Sequence, residues 1–362
     1  VTGCYAQTQA QALADIDGVA IVVGNDQKHR ITELLSQPSG DLPHILAGDI
    51  FLQKSFQAAP ASGIAGRTRA FFKIQDGCNA FCSYCIVPFA RGKSRSLPVP
   101  DVASGIREFI RQGFREIVLT GIHLGYYGND LQPQTDLAQT LEALLSQNPE
   151  ARFRLSSIEP NEISDELLDL FSRHENLCPH LHIPMQSGDD TILNMMKRRY
   201  DRIFYRSLIE KTAQTVDDIA IGMDVMVGFP GEGEKEFGHT LKLLEELPAA
   251  YLHVFPYSER PGTDALNIEP KVPEKIKKER AAILRELGAK KRETFSRKFL
   301  GKVLPVLVEQ TRDKKTGLHK GFSHNYLPVI LDKQPCSLVN TIVRVSAEHY
   351  RDGKLTGRVV HG

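Results

Sequence analysis

Three cysteines, Cys78, Cys82 and Cys85, stand within the string Asp76-Gly77-Cys78-Asn79-Ala80-Phe81-Cys82-Ser83-Tyr84-Cys85. Their C-x3-C-x2-C spacing offers three thiolates from one short loop, with no fourth ligand nearby. Thiolates are the usual protein ligands of iron–sulfur clusters. A cubane 4Fe–4S cluster held by three cysteines keeps one iron open, and an open iron can chelate a small molecule. Two plainer readings compete. A structural zinc site wants four ligands in closed tetrahedral geometry, and the nearest histidine after the loop, His123, stands far beyond finger-like spacing. A redox CxxC needs only two cysteines and usually opens a helix of a thioredoxin-like unit. Three cysteines so closely grouped favour the cluster.

The other cysteines, Cys4, Cys178 and Cys336, are isolated. Their uneven grouping does not suggest a disulfide framework, and Cys178 and Cys336 read as buried structural residues. The chain has 362 residues, 41% apolar and 25% charged, which suits a globular protein of two or three domains. No run of about 18 apolar residues occurs, so no membrane span is expected. A reducing cytoplasm is the consistent compartment. The chain opens at Val1, in what reads as a strand end, and is expected to be a fragment without its natural N-terminus.

Net charge is only +1, but it is unevenly spread. Lys271 to Lys302 carry twelve Lys/Arg against four Asp/Glu, and Val303 to Gly362 carry nine against five. An acidic body with a basic C-terminal quarter suggests a polyanion docking at that end, or else a solvated Lys-rich helix face. The basic candidates are Lys290, Lys291, Arg292, Arg297, Lys298, Lys314, Lys315, His319, Lys320 and His324. Phe322 and Tyr326 among them can stack bases or fill a small core. Arg198 and Arg199 make a second basic spot, open to a phosphate or to a neighbouring acid.

These residues need elements to hold them. Residues 1–36 read as the tail of an α/β domain, and residues 37–68, rich in Pro, Gly, Ser and Ala, as a linker. From Arg69 strands and helices alternate. Expected strands are Ala70–Ile74, Glu116–Leu119, Phe153–Ser156, His180–Met185, Met223–Gly228 and Tyr251–Phe255. Ile106, Phe109 and Ile110, then Leu137, Leu141, Leu144 and Leu145, mark helical spacings between them. Six such units predict a parallel sheet curled into an incomplete barrel, with the site at the strand C-terminal ends. The cysteine loop directly follows the first strand. A long amphipathic helix is predicted over 273 to about 299. Short strands follow after Gly301 and read as a small antiparallel barrel. The predicted domains are thus 1–36, a linker over 37–68, 69–300 and 301–362.

Several strings together resemble one family, the radical S-adenosylmethionine (SAM) methylthiotransferases acting on transfer RNA or, in one branch, on a ribosomal protein. They are the cysteine loop with Tyr84 before its third cysteine, Leu119-Thr120-Gly121-Ile122-His123-Leu124-Gly125, and Arg154-Leu155-Ser156-Ser157-Ile158-Glu159-Pro160. His182-Ile183-Pro184-Met185-Gln186-Ser187-Gly188, Asp224-Val225-Met226-Val227-Gly228-Phe229-Pro230-Gly231-Glu232 and Tyr257-Ser258-Glu259-Arg260-Pro261-Gly262-Thr263 complete them. The C-terminal strands are similar to the TRAM module, an RNA-binding fold. Lys73-Ile74-Gln75-Asp76-Gly77-Cys78, the string from Leu119 to Gly125 with Tyr127-Gly128, and His253-Val254-Phe255-Pro256-Tyr257-Ser258 look most like the branch modifying N6-threonylcarbamoyladenosine beside the anticodon.

The resemblance implies a partial (β/α)6 radical-SAM barrel, a truncated N-terminal α/β domain and a TRAM-like barrel. It implies that Cys78, Cys82 and Cys85 bind a 4Fe–4S cluster whose open iron takes SAM. One electron then cleaves SAM to a 5′-deoxyadenosyl radical, which removes hydrogen from carbon 2 of the modified adenine. A second cluster carries the sulfur, and a second SAM supplies the methyl group. Cofactor contacts are expected from Phe81, Tyr84, Thr120, Gly121, Ser156, Glu159, Gln186 and Gly228. Cys4 matches the third ligand of the sulfur-carrying cluster, whose other two cysteines would lie upstream of Val1. Expected partners are tRNA and a reducing electron-donor protein, with the chain a monomer. The same chemistry on N6-isopentenyladenosine or a ribosomal-protein aspartate is the alternative. A non-catalytic, zinc-containing RNA-binding protein is the alternative of another class.

Overall fold

The computed structural model describes residues 1–36, 44–56, 66–333 and 337–360. Cys336 lies outside these residues. Six parallel strands follow one another in chain order. Ala70–Lys73, Glu116–Thr120 and Arg152–Leu155 form one run, and His180–His182, Ala220–Val227 and Tyr251–Pro256 the other. The isolated bridges Ser157–His182 and Phe153–Leu177 join the runs, so the sheet is an open, partial barrel.

Alternation decides which side chains face the interior, because neighbouring residues on a strand point to opposite faces. On the fifth strand Ile221, Met223, Val225 and Val227 pack into the main core with the surrounding helices. Gly222, Asp224 and Met226 therefore face inward. The helices are amphipathic. In Val99–Arg111 the buried residues include Val102, Ile106 and Phe109, spaced three and four apart. Side chains of Asp136, Ser164, Asp189 and Asp201 accept from backbone N–H groups and cap four helix starts.

The fourth strand is shorter than expected. Regular pairing stops at His182, and Gln186 adopts a left-handed backbone (φ 62°) while bridging to Val225. Within the predicted linker, Ile45–Leu46 pairs in parallel with Val22–Val23, and Ile50–Leu52 forms a short 3-10 turn. Two-residue strands carry too little pattern to be seen in sequence.

The helix Glu274–Arg297 leads to a closed five-stranded barrel. Its strands are Val303–Arg312, His319–Ser323, Pro328–Leu331, Ile342–Arg351 and Lys354–Val359. One of the five pairings, Pro328–Leu331 with Lys354–Val359, is parallel. His319–Ser323 is an additional strand: its His, Lys and Gly content hides the alternation. Gly321 is there because a Cβ would lie 2.2 Å from the Leu307 carbonyl oxygen across the ladder.

This small barrel closes the N-terminal end of the large one. Arg152 and Arg154 share the fully buried Glu116 and donate to the carbonyls of Phe322 and His324, both at 2.9 Å. The ring of Tyr326 lies 4.8 Å from the Arg154 guanidinium. No helix among the described residues is long and apolar enough to cross a membrane.

Candidate active site at the strand C-terminal ends

The cysteine loop leaves the first strand through Gln75, whose side chain is fully buried. Gln75 Nε2 donates to the Gly77 carbonyl and to Ser94 Oγ, both 2.9 Å, and Oε1 accepts from His123 N–H at 2.7 Å. Gly77 then turns with φ 78°, and a Cβ there would lie 2.0 Å from the Lys93 carbonyl oxygen. Only glycine fits. Phe81 makes a second left-handed turn, φ 48°.

Two distant segments hold the far side of the loop. Ser83 donates through its N–H to Met196 O (3.1 Å) and through Oγ to Met195 O (2.7 Å), and its carbonyl accepts from Ala265 N–H (2.8 Å). The loop thereby spans the barrel mouth from the first strand to the segment after the last.

The three sulfurs are half-buried. Cys78 Sγ lies 3.3 Å from His123 Nδ1, and Arg198 Nη1 donates to Cys82 Sγ at 3.4 Å. Burial pushes the Cys82 thiol up, opposed by Arg198, and pushes Cys85 up to about 11. Among the described residues only His182, Asp224 and His253 bring three ligand atoms within 4.8 Å of one another. The cysteine sulfurs are not drawn together in that way. Three thiolates from one half-buried loop are a donor set that fits a 4Fe–4S group.

Thr120, Ser156, Glu159, Gln186 and Gly228 lie at or just after the C-terminal ends of the strands. Ser156 Oγ and Gln186 Oε1 are buried without a hydrogen-bond partner. Glu159 is ion-paired with Arg198, whose side chain is nearly buried. Gly121 packs against Gln75 and Leu124, where a Cβ would meet Gln75 Oε1 at 2.9 Å. Gly228 has φ 71°, and a Cβ would lie 2.3 Å from Lys277 Cγ. The Thr120 carbonyl accepts from Ile74 N–H. The two aromatic residues diverge. Tyr84 packs edge-on against Phe229, while Phe81 stacks on Phe51, meets Phe89 edge-on and is 43% exposed. Cys4 stands beside the helix after the loop, accepting from Arg91 Nε at 3.2 Å. Cys178 is buried.

Sequence reasoning missed Gln75 and His123; of the two partners it left open for Arg198, a phosphate or a neighbouring acid, the structure shows the acid, Glu159. Burial lowers the His123 pKa, but contacts with Cys78 and Glu162 outweigh it and raise the group to about 10. No local signal marks these residues, because each acts on a partner far away in the chain. Arg199 donates to Tyr126 OH at 3.2 Å.

An open barrel with a three-cysteine loop at its mouth defines a class, the radical SAM enzymes, and residues 72–244 match the radical SAM superfamily. The chain is 38% identical to threonylcarbamoyladenosine tRNA methylthiotransferase MtaB of Rickettsia prowazekii, covering 92% of this chain and 76% of that protein. The MtaB of Bacillus subtilis is 36% identical over 95% of this chain and 77% of its own length. A tRNA-2-methylthio-N(6)-dimethylallyladenosine synthase of Staphylococcus aureus is 30% identical, over 99% and 70%. The chain belongs to the radical SAM methylthiotransferase family.

Proposed function

We propose that the protein adds a methylthio group to carbon 2 of N6-threonylcarbamoyladenosine at position 37 of tRNA, next to the anticodon. The observation that carries this reading is the loop of Cys78, Cys82 and Cys85, pinned across the barrel mouth with His123 and Arg198 against its sulfurs. The identity of 36–38% to two proteins named for that substrate supports the choice of nucleoside.

Cys78, Cys82 and Cys85 would hold the cluster, which when bound supplies the electron that cleaves SAM reductively. Thr120 and Gly121 let the backbone approach the methionine end of the cofactor. Ser156 and Gln186 have free hydrogen-bonding capacity for it, and Arg198 fixes the Glu159 carboxylate. Tyr84 and Phe229 form an apolar wall, and the tight Gly228 turn leaves room at the fifth strand. Cys4, next to Arg91, would serve as one ligand of a second cluster. An electron-donor protein supplies the reducing equivalents. The protein acts as a monomer in the cytoplasm.

The C-terminal quarter would hold the RNA backbone. Several cations expected there are engaged: Lys290 with Glu286, Arg297 with Glu293 and Lys315 with Asp352. His324 is half-buried and Phe322 stacks on Tyr326. Arg292, Lys298, Lys314 and Lys320 have no ion pair among the described residues and remain for phosphates.

Mass spectrometry of tRNA nucleosides from cells lacking the gene tests the assignment. Loss of the methylthio form of threonylcarbamoyladenosine is expected. An unchanged level, with loss of the isopentenyl product or of a modified ribosomal aspartate, overturns it. Anaerobically reconstituted protein should carry about four irons and four sulfides at these cysteines. Stoichiometric zinc without SAM cleavage would favour a binding protein instead.

A further inference from the structure

On the inward face of the barrel, three adjacent strands place His182, Asp224 and His253 side by side. His253 is the register partner of Asp224, and His182 that of Gly222. Asp224 Oδ1 lies 2.9 Å from His182 Nε2 and 3.4 Å from His253 Nδ1. Behind them His182 Nδ1 lies 3.2 Å from Tyr251 OH, which lies 2.7 Å from His180 Nε2.

The order of protons along this chain follows from its buried end. His180 Nδ1 is buried without a partner. A bare acceptor there is tolerated more readily than an unpaired N–H, so the proton sits on Nε2. His180 then donates to Tyr251, Tyr251 donates to His182, and His182 donates to Asp224. His253 donates from the other side. Asp224 is the terminal acceptor, and as a carboxylate it keeps lone pairs for a further donor. Burial pushes the Asp224 carboxyl up, but the two imidazoles outweigh it and hold it well below the usual carboxylate range.

A two-histidine, one-carboxylate group can also hold a divalent cation. That would require a bare His182 Nε2 and a reversed chain, leaving an unpaired N–H buried on His180. The open end fits a hydrogen-bonding ligand better. Asp224 is 25% exposed and His253 57%. Gln186, with its unpaired Oε1, donates its backbone N–H to the Asp224 carbonyl at 2.9 Å. Four residues separate Asp224 from Gly228 at the mouth, about 13 Å along a strand.

We propose that His182, Asp224 and His253 form the subsite for the N6 side chain of the target adenosine, Asp224 accepting from its carbamoyl N–H groups and His253 facing its carboxylate. This rests on the nucleoside assigned under Proposed function. A dimethylallyl group has neither donor nor charge, and would cover Asp224 and His253 without using the lone pairs that Asp224 still offers beyond its two histidines. Sites built around hydrogen bonds reject analogues lacking those groups strongly. The subsite is therefore a specificity device.

The test uses the reconstituted holoprotein, wild type and His253→Leu, with Asp224→Asn as a second variant. Binding of SAM and of three anticodon stem-loops is measured, carrying threonylcarbamoyladenosine, isopentenyladenosine or plain adenosine at position 37. His253→Leu should weaken the threonylcarbamoyl RNA about tenfold, as expected when a hydrogen bond to a charged group is lost, and leave the plain RNA and SAM within about twofold. Equal weakening of all three RNAs, unchanged binding of the threonylcarbamoyl RNA or weakened SAM binding overturns the inference. So does stoichiometric zinc that His253→Leu and Asp224→Asn remove. Wild-type protein that prefers isopentenyl RNA sinks the nucleoside assignment itself. Wild-type preference for threonylcarbamoyl RNA, kept in His253→Leu, sinks only the subsite.

Discussion

Arg154 donates through Nη1 to the main-chain carbonyl of His324 at 2.9 Å, a bond between residues 170 apart in sequence. It ties the third strand of the large barrel to the small barrel. With Arg152 and Glu116 it forms a buried charge network that ends on carbonyl oxygens of the small barrel. Burial pushes the Glu116 carboxyl up, but Arg154 and Arg152 outweigh it and bring it down to about 2.

Glu116→Gln should therefore be costly. It leaves two buried guanidiniums without their counter-charge, and breaking such a network costs about 3–5 kcal/mol. Chemical denaturation should show the loss, and limited proteolysis should release the barrel of 303–359 early. Unchanged stability would mean that the arginines are satisfied by the carbonyls alone.

Acid should weaken the same interface in two stages. Burial, with Arg152 and Arg154 nearby, pushes the His324 imidazole down to about 4. Between pH 6.5 and 4 the unfolded chain holds a proton there that the folded chain does not. This stability is full above pH 6.5 and lost as pH falls through 4, about 3 kcal/mol in all. Glu116 adds a second loss between about pH 4.5 and 2, for the same reason. Urea titrations at pH 7, 5 and 3 measure both stages. His324→Gln should flatten the upper one.

Gly77→Ala should damage the cysteine loop and leave most of the barrel intact. The residue needs φ 78° and has no room for a Cβ beside Lys93. Iron and sulfide per chain after reconstitution should fall well below wild type, with thermal stability reduced by a few kcal/mol at most. Full cluster content would show that the loop can move.

Cys82→Ala should separate chemistry from docking. Formation of 5′-deoxyadenosine should vanish, while affinity for the RNA stays within about twofold, because phosphate contacts belong to the C-terminal cations. Reversing Lys314 and Lys320 to Glu should do the opposite, weakening RNA and lowering the salt slope by about two. RNA affinity that falls with Cys82→Ala would place the loop in the RNA interface.

Arg198→Met should weaken SAM binding about tenfold, since Glu159 loses the guanidinium that fixes it. Equilibrium binding to reconstituted protein reads the effect. Unchanged affinity would remove Glu159 from the cofactor's contacts.

What could be read from the chain alone was local. The cysteine spacing lies within eight residues, and the strand and helix periods within a dozen or so, so neighbouring residue types carry the signal. Folding then supplied what proximity in sequence cannot. Arg198 meets Cys82 across 116 positions, and Gln75 meets His123 across 48. His182, Asp224 and His253 came together because three parallel strands, separated by helices, fell into one register. Such contacts depend on packing and crossover length, and no short window of residues encodes them.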